Sequence, residues 1–205
     1  MLETQSNSRQ IPKVQTICAS KKYNDILYAY LQCVSERDSI NGNRYFSKKD
    51  INFSNLGKMF NLSRQTVSTK FKHLMSEELN LVEKISDEKY LLKELPKDYA
   101  SLIPYKTLKL ITDTLSENSV NTYVYLLNRY YANNCKPFKF TLAQVKSAVG
   151  ICATTRSNDD IITNILFVLQ KIGLIRYSLT GEAQESSTFQ NVKTMYQIDF
   201  LTNTI

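Results

Sequence analysis

The sequence predicts a mainly α-helical α+β fold, built twice along one chain, in which each set of helices ends in a small β-hairpin. Three observations predict it. Apolar residues recur at helical spacing through most of the chain. Two β-prone runs flank a polar turn at 86–89, and two more lie in the C-terminal quarter. Finally, ILYAYLQ (26–32) matches NTYVYLL (121–127), with Tyr28 over Tyr123, Tyr30 over Tyr125 and Leu31 over Leu126. The order helix, connector, helix, helix, hairpin follows each copy, which reads as an internal duplication.

Residues 1–20 read as a polar and basic N-terminal arm punctuated by Pro12. The first unit spans 21–95. Its first helix covers 23–37, with Ile26, Leu27, Tyr30, Leu31 and Val34 at helical spacing. SINGNRYFSKKD (39–50) is a turn-rich connector. Ser54 can cap a short helix to Phe60. A further helix runs from Arg64 to about Glu78, and LVEKISDEKYLLK (81–93) is a hairpin. Pro96 and Pro104 bracket a linker, 96–104. The second unit spans 105–205, with helices at Tyr105–Leu115 and Val120–Ala132. Thr141 opens another helix, and Gln144 three residues on completes a capping-box pattern. An apolar helix, Asp159–Ile172, precedes strands at 173–179 and 194–201, with the polar stretch between them expected as a long loop.

In the first unit the two consecutive helices meet the steric demands of a helix–turn–helix. Leu56 and Phe60 are the apolar pair of the first helix, and Gly57 stands where the second must cross. Asn61 occupies the turn, where Asn or Gly tolerates the left-handed conformation. Leu62 plugs the turn, Ser63 caps the second helix, and Val67, Phe71 and Leu74 form its inward stripe. With the hairpin behind it, the unit reads as a winged helix, and the chain as two tandem winged helix–turn–helix domains. On the outward face Gln65, Thr66, Ser68 and Thr69 are candidate base readers. Gln can bond adenine at two points, and Thr can meet a thymine methyl. Lys58, Arg64, Lys70 and Lys72 suit phosphates, with Lys84 and Lys89 on the wing. The tyrosines of both first helices are expected in the core.

The second unit departs from this pattern. VKSAVGI (145–151) matches LGKMFNL (56–62), with Gly150 in the turn, but about six residues are inserted before the next helix. That helix opens on Asp159 and Asp160, which suit a helix N-terminus and would repel DNA phosphates. Its outward line includes Asp160, Asn164 and Phe167, candidates for a protein interface. Lys136, Lys139 and Arg156 are the basic residues available for backbone contact. This unit is therefore expected to dimerise or touch backbone rather than read bases.

Composition sets the partner class. The net charge is +7 and the pI about 9.1. Residues 1–98 hold 16 Lys+Arg and 12 Asp+Glu, and 99–205 hold 10 and 7, so neither half is a basic tail. Acid-free windows at 4–24, 51–76 and 118–158 are where a phosphate-binding face would lie. Cys18, Cys33, Cys135 and Cys152 form no CxxC pair, and His73 is the single histidine. No metal site is expected, and the thiols read as buried and free in a reducing cytoplasm. The first residues lack a signal-peptide core, and no apolar run approaches the roughly 20 residues that span a bilayer. No cofactor is expected. Five scattered glycines give no phosphate-binding loop, and one histidine leaves no catalytic constellation, so the chain is not expected to be an enzyme.

LIPYKTLKLITDTLSENSVNTYVYLLNRYY (102–131) resembles the opening of winged-helix domains in replication proteins of Firmicutes plasmids and phages. QKIGLIRY (170–177) is similar to their helix-to-wing junction. The resemblance implies an initiator or replisome organiser that binds origin repeats, or a related regulator on a mobile element. Tandem winged helices also occur in iteron-binding plasmid initiators. The function expected is sequence-specific double-stranded DNA binding in replication initiation or transcriptional regulation. The alternative is a protein-interaction module that recruits a helicase or loader. A homodimer and contacts with replication proteins are further expectations, with no membrane partner.

Overall fold

The first described helix, α1 (Ile26–Val34), buries Ile26, Leu27, Tyr28, Ala29 and Leu31 almost completely. Ile26, Leu27 and Leu31 each contribute roughly 2 kcal/mol of burial. The fold comes from a computed structural model, which describes residues 8–12, 26–155, 157–186 and 189–201. Helices and strands are mixed throughout, and the chain divides into two compact units between Val120 and Asn121. Most of the expected arm, Cys18, the first turn of the 23–37 helix and Arg156 lie outside the described residues.

In the first unit α1 leads into β2 (Glu36–Arg37) and β3 (Arg44–Ser47). A short 3₁₀ turn at Lys48–Asp50 follows, closed by a capping box between Ser47 and Asp50. Then come α2 (Phe53–Phe60) and α3 (Arg64–Leu74). A hairpin of β4 (Val82–Lys84) and β5 (Lys89–Leu92) completes an antiparallel sheet in the order β2-β3-β5-β4. The connector at 39–50 thus contributes a strand that its turn-forming residues concealed. α2 starts one residue before Ser54 because Asn52 is the cap, its side chain accepting from the Asn55 N–H. α3 stops at Leu74 rather than Glu78. The chain turns through Asn80, at φ 47°, to set Leu81 and Val82 in the core.

The expected arm and linker are corrected by a strand pair. β1 (Ser8–Pro12) runs antiparallel to β6 (Ala100–Pro104), with Ile11 and Ile103 buried. Pro104 ends β6 and Pro96 opens the 3₁₀ turn Lys97–Tyr99 that leads into it, so the two do not bracket free linker. α4 (Tyr105–Thr114) follows directly and packs with α1 in the same unit, burying Leu108 and Ile111.

α5 (Glu117–Ala132) carries the division between the units. The second unit continues with β7 (Phe138–Phe140), α6 (Leu142–Val149) and α7 (Ser157–Lys171). β8 (Ile175–Ser186) and β9 (Phe189–Phe200) follow, giving the sheet order β7-β9-β8. Much of the expected long loop is therefore paired strand. Tyr123, Val124, Leu126, Phe140, Ile162, Leu166 and Leu169 fill this core. Both units place one short strand, β3 or β7, against the second strand of their hairpin.

The thiols differ from expectation. Cys33 is half-buried, and Cys135 and Cys152 are exposed, because both sit in loops rather than on helix faces. Among the described residues, no helix is long and apolar enough to cross a membrane.

Candidate nucleic-acid interface

The junction of α2 and α3 is fixed by three local devices. Asn61 takes the left-handed conformation at φ 57°, ψ 45°, and the Leu62 N–H donates to the Gly57 carbonyl at 2.8 Å. A Cβ on Gly57 would stand 2.7 Å from the Leu62 carbonyl oxygen, so only glycine lets the chain cross this closely. Ser63 then caps α3, its hydroxyl accepting from the Thr66 N–H at 3.0 Å. Val67, Phe71 and Leu74 lie inward. The Phe71 ring meets Phe53 and Tyr90, both at 5.7 Å, and Tyr90 stacks on Phe46 at 5.4 Å. These ring contacts tie α3 to the sheet and set the face it turns outward.

That face carries Arg64, Gln65, Thr66, Thr69 and Lys72, all exposed, with Ser68 half-buried. No carboxylate stands on α3 itself. Lys58, Arg64 and Lys72 form no ion pair among the described residues. His73 lies 3.9 Å from Glu78 at the far end.

Four of the expected contact residues are engaged within the protein. Lys70 is ion-paired with Glu117 at 2.7 Å, both side chains only 21% exposed, so its charge is already met within the first unit. The Thr66 hydroxyl lies 2.8 Å from that of Ser63 and belongs to the cap. On the hairpin, Lys84 pairs with Asp87 at 2.7 Å, and this contact raises the Lys84 pKa. Lys89 lies over the Tyr45 ring, 4.1 Å from its centre. Both remain exposed.

No protein-family model matches the chain, and no curated protein matches it. Among solved structures, the crystal structure of Pi initiator protein in complex with iteron DNA aligns over 95% of this chain and 97% of that one. The TM-score is 0.45 and the identity 10%, a likeness that assigns neither fold nor function.

The second unit repeats the turn with different chemistry around it. Gly150 is left-handed at φ 79°, ψ 19°, and the Ile151 N–H donates to the Lys146 carbonyl at 2.9 Å. Thr141 and Gln144 form the expected capping box. Lys146, in the place of Gly57, is buried, and its ammonium bonds the Thr155 carbonyl and the Asp159 carboxylate. Asp159 thus answers a buried lysine as well as opening a helix. Sequence reading missed this pair, although a lysine on the inward face of a short helix was its signal. On α7, Asp160, Asn164 and Phe167 are exposed, joined by Ile161 and Val168. Lys171 lies over Phe167 at 5.3 Å from the ring centre. Lys136 and Lys139 are exposed, on the loop before β7 and on β7. Among the described residues, no three His, Cys, Asp or Glu side chains gather where a metal could be held.

Proposed function

We infer that both units are winged helix–turn–helix domains and that the chain binds double-stranded DNA sequence-specifically through α3. The observation that carries this reading is the crossing at Gly57. It holds a capped helix whose outward face presents amide, hydroxyl and cationic groups with no carboxylate among them. Such a face can enter the major groove without repelling phosphates. Gln65 and Thr69 are the base readers, with Ser68 and the methyl of Thr66 beside them. Lys58, Arg64, Lys72, Lys84 and Lys89 hold phosphates, and Lys70 has a structural role instead. The chain acts without catalysis, in replication initiation or transcriptional regulation of a mobile element.

Selection of bound fragments from random duplex DNA, followed by band shifts, tests this. With about five phosphates neutralised, log affinity should fall against log salt with a slope of about −4 to −5. Gln65→Ala and Thr69→Ala should flatten sequence preference, and Lys72→Ala should weaken all duplexes alike. Lys70→Ala should leave affinity within about twofold, since its partner is Glu117. Absence of salt-dependent binding to any duplex sinks the reading.

A second reading is favoured by one observation, the exposed Phe167, 51% accessible beside Asp160, Asn164 and Val168. On it, α7 docks a protein, either a second copy or a replication protein. A stoichiometric partner that survives nuclease treatment and is lost in Phe167→Glu supports it.

A further inference from the structure

The first unit holds a second concentration of positive charge, away from α3 in sequence. A cavity of about 350 Å³ is lined by Arg9, Gln10, Gln32, Arg37, Arg44 and Glu94, among others. Its three guanidiniums come from three different strands, β1, β2 and β3. Arg37 and Arg44 are direct cross-strand partners, an arrangement in which like charges destabilise a sheet. Burial lowers the Arg44 pKa, and the fields of Arg9 and Arg37 lower it further. One carboxylate, Glu94, lines the cavity, and neither it nor Arg37 nor Arg44 forms an ion pair among the described residues. The charged side chains that line the cavity, three cationic and one anionic, sum to a formal charge of +2.

The side chains are held in place. The Arg9 guanidinium lies over the Tyr105 ring, 5.0 Å from its centre. Arg37 Nε donates to the Gly42 carbonyl at 3.1 Å, and Arg44 Nη1 to the Ser35 carbonyl at 3.4 Å. Each of these two arginines spends one of its five N–H groups there and keeps the rest. Gln10 Oε1 accepts from the Leu95 N–H at 2.8 Å, which commits its oxygen and leaves its NH₂ as a donor; the Tyr28 hydroxyl, 3.2 Å away, donates at shorter range to the Lys93 carbonyl, 2.9 Å. Gln32 Nε2 donates to the same hydroxyl at 2.8 Å. The lining is thus rich in fixed donors.

We propose that Arg9, Arg37 and Arg44 form a phosphate-binding pocket. A carboxylate fills one guanidinium fork, whereas a tetrahedral phosphate offers three oxygens to three forks. A phosphate monoester carries roughly −1.5 to −2 charges near neutrality, which matches the wall. The volume is at the small end of ligand sites and also admits the sugar to which a phosphate is esterified. A free phosphate or the monoester of a mononucleotide has this full chemistry, whereas a DNA backbone phosphate, a diester, brings two free oxygens and a single negative charge to the same guanidiniums.

The full chain is tested with inorganic phosphate against sodium chloride at equal ionic strength. Saturating phosphate should raise the Tm by roughly 5 °C. Arg37→Gln, at an exposed position that should not disturb folding, should weaken phosphate about tenfold, and Arg44→Gln should do the same. Arg37→Lys, which keeps charge but not the fork, should fall between. A second arm measures duplex affinity against salt. If the occupant is a backbone phosphate, Arg37→Gln weakens all duplexes equally and reduces the salt slope by about 1. If it is a free phosphate, duplex affinity stays unchanged while the Tm response is lost. The pocket is overturned if wild type shows no phosphate-specific rise and Arg37→Gln no loss of duplex affinity. It is equally overturned if the rise survives undiminished in both glutamine variants. The phosphate arm uses no duplex, so its outcome is separate from that of the α3 reading.

Discussion

Four residues before the turn of the first unit stands Gly57; four residues before the turn of the second stands Lys146. The turns match in backbone, with Asn61 and Gly150 both left-handed and Leu62 and Ile151 donating back to the same position. What differs is the room beside the helix. In the first unit the next helix starts at Arg64, and its approach leaves no space for a Cβ at Gly57. In the second, α7 starts at Ser157, and a whole lysine side chain fits where the glycine stood. The insertion after Ile151 therefore changes the kind of packing that holds the crossing, from backbone on backbone to a buried ion pair. It also changes what the second helix of each pair presents. α3 shows amide, hydroxyl and cationic groups; α7 shows Asp160 and Phe167.

The strongest way to break this comparison is Gly57→Val. Its Cβ would meet backbone rather than a movable side chain, so a loss of about 3 kcal/mol is expected by urea denaturation. Unchanged stability would mean that the crossing is looser than 2.7 Å implies. Next comes Asp159→Ala, which strands the buried Lys146 ammonium. Because the carboxylate is itself 42% exposed, the loss should be about 2 kcal/mol rather than the larger figures of fully buried pairs. Lys146→Met should cost under about 1 kcal/mol, since an apolar side chain of similar length removes the charge and its need together. If Met proves worse than Ala at 159, the ion pair is stabilising beyond filling space.

A smaller effect sharpens the equivalence of the two turns. Gly150→Ala should cost about 1 kcal/mol because it forces a Cβ into the left-handed region, and Asn61→Ala should cost about 0.5–1 kcal/mol because Ala lacks the short polar side chain that eases that conformation. Asn61→Gly should be neutral within about 0.5 kcal/mol. The last prediction concerns the insertion alone. Hydrogen bonds from Thr154 and Thr155 lower the Cys152 thiol to about 7, whereas burial raises Cys33. Alkylation of Cys152 should therefore rise through a midpoint near pH 7 as thiolate replaces thiol. Thr155→Val should move the midpoint upward, and mass spectrometry of alkylated peptides reads both.

The features legible in the sequence are those whose cause lies within a few residues. Asn61 follows from the turn, Ser63 from the cap, and the Thr141–Gln144 box from its own spacing. Val67, Phe71 and Leu74 follow from helical period. What stayed hidden depends on distant partners. Lys70 looks like any outward lysine until Glu117, 47 residues on, is placed against it. β1 and β6 each read as arm or linker because neither alternates strongly, and only their pairing makes them strands. Arg9, Arg37 and Arg44 are unremarkable singly; sheet register pairs Arg37 with Arg44, and Arg9 joins them from a different sheet. The Thr66 hydroxyl illustrates a finer limit. Helical period places it outward, while its bond to the cap decides what it is free to touch.

The pairing of Ser8–Pro12 with Ala100–Pro104 joins segments about 90 residues apart, across nearly the whole of the first unit. During synthesis from the N-terminus, β1 has no partner until β6 has emerged. The helices and hairpin between them can form earlier from local contacts, but this seam cannot. Closing it late makes one of the first unit's late folding steps a long-range one. A ribosome-bound chain halted before Ala100 should therefore expose Ile11 to proteases and chaperones, and one halted well past Pro104 should not.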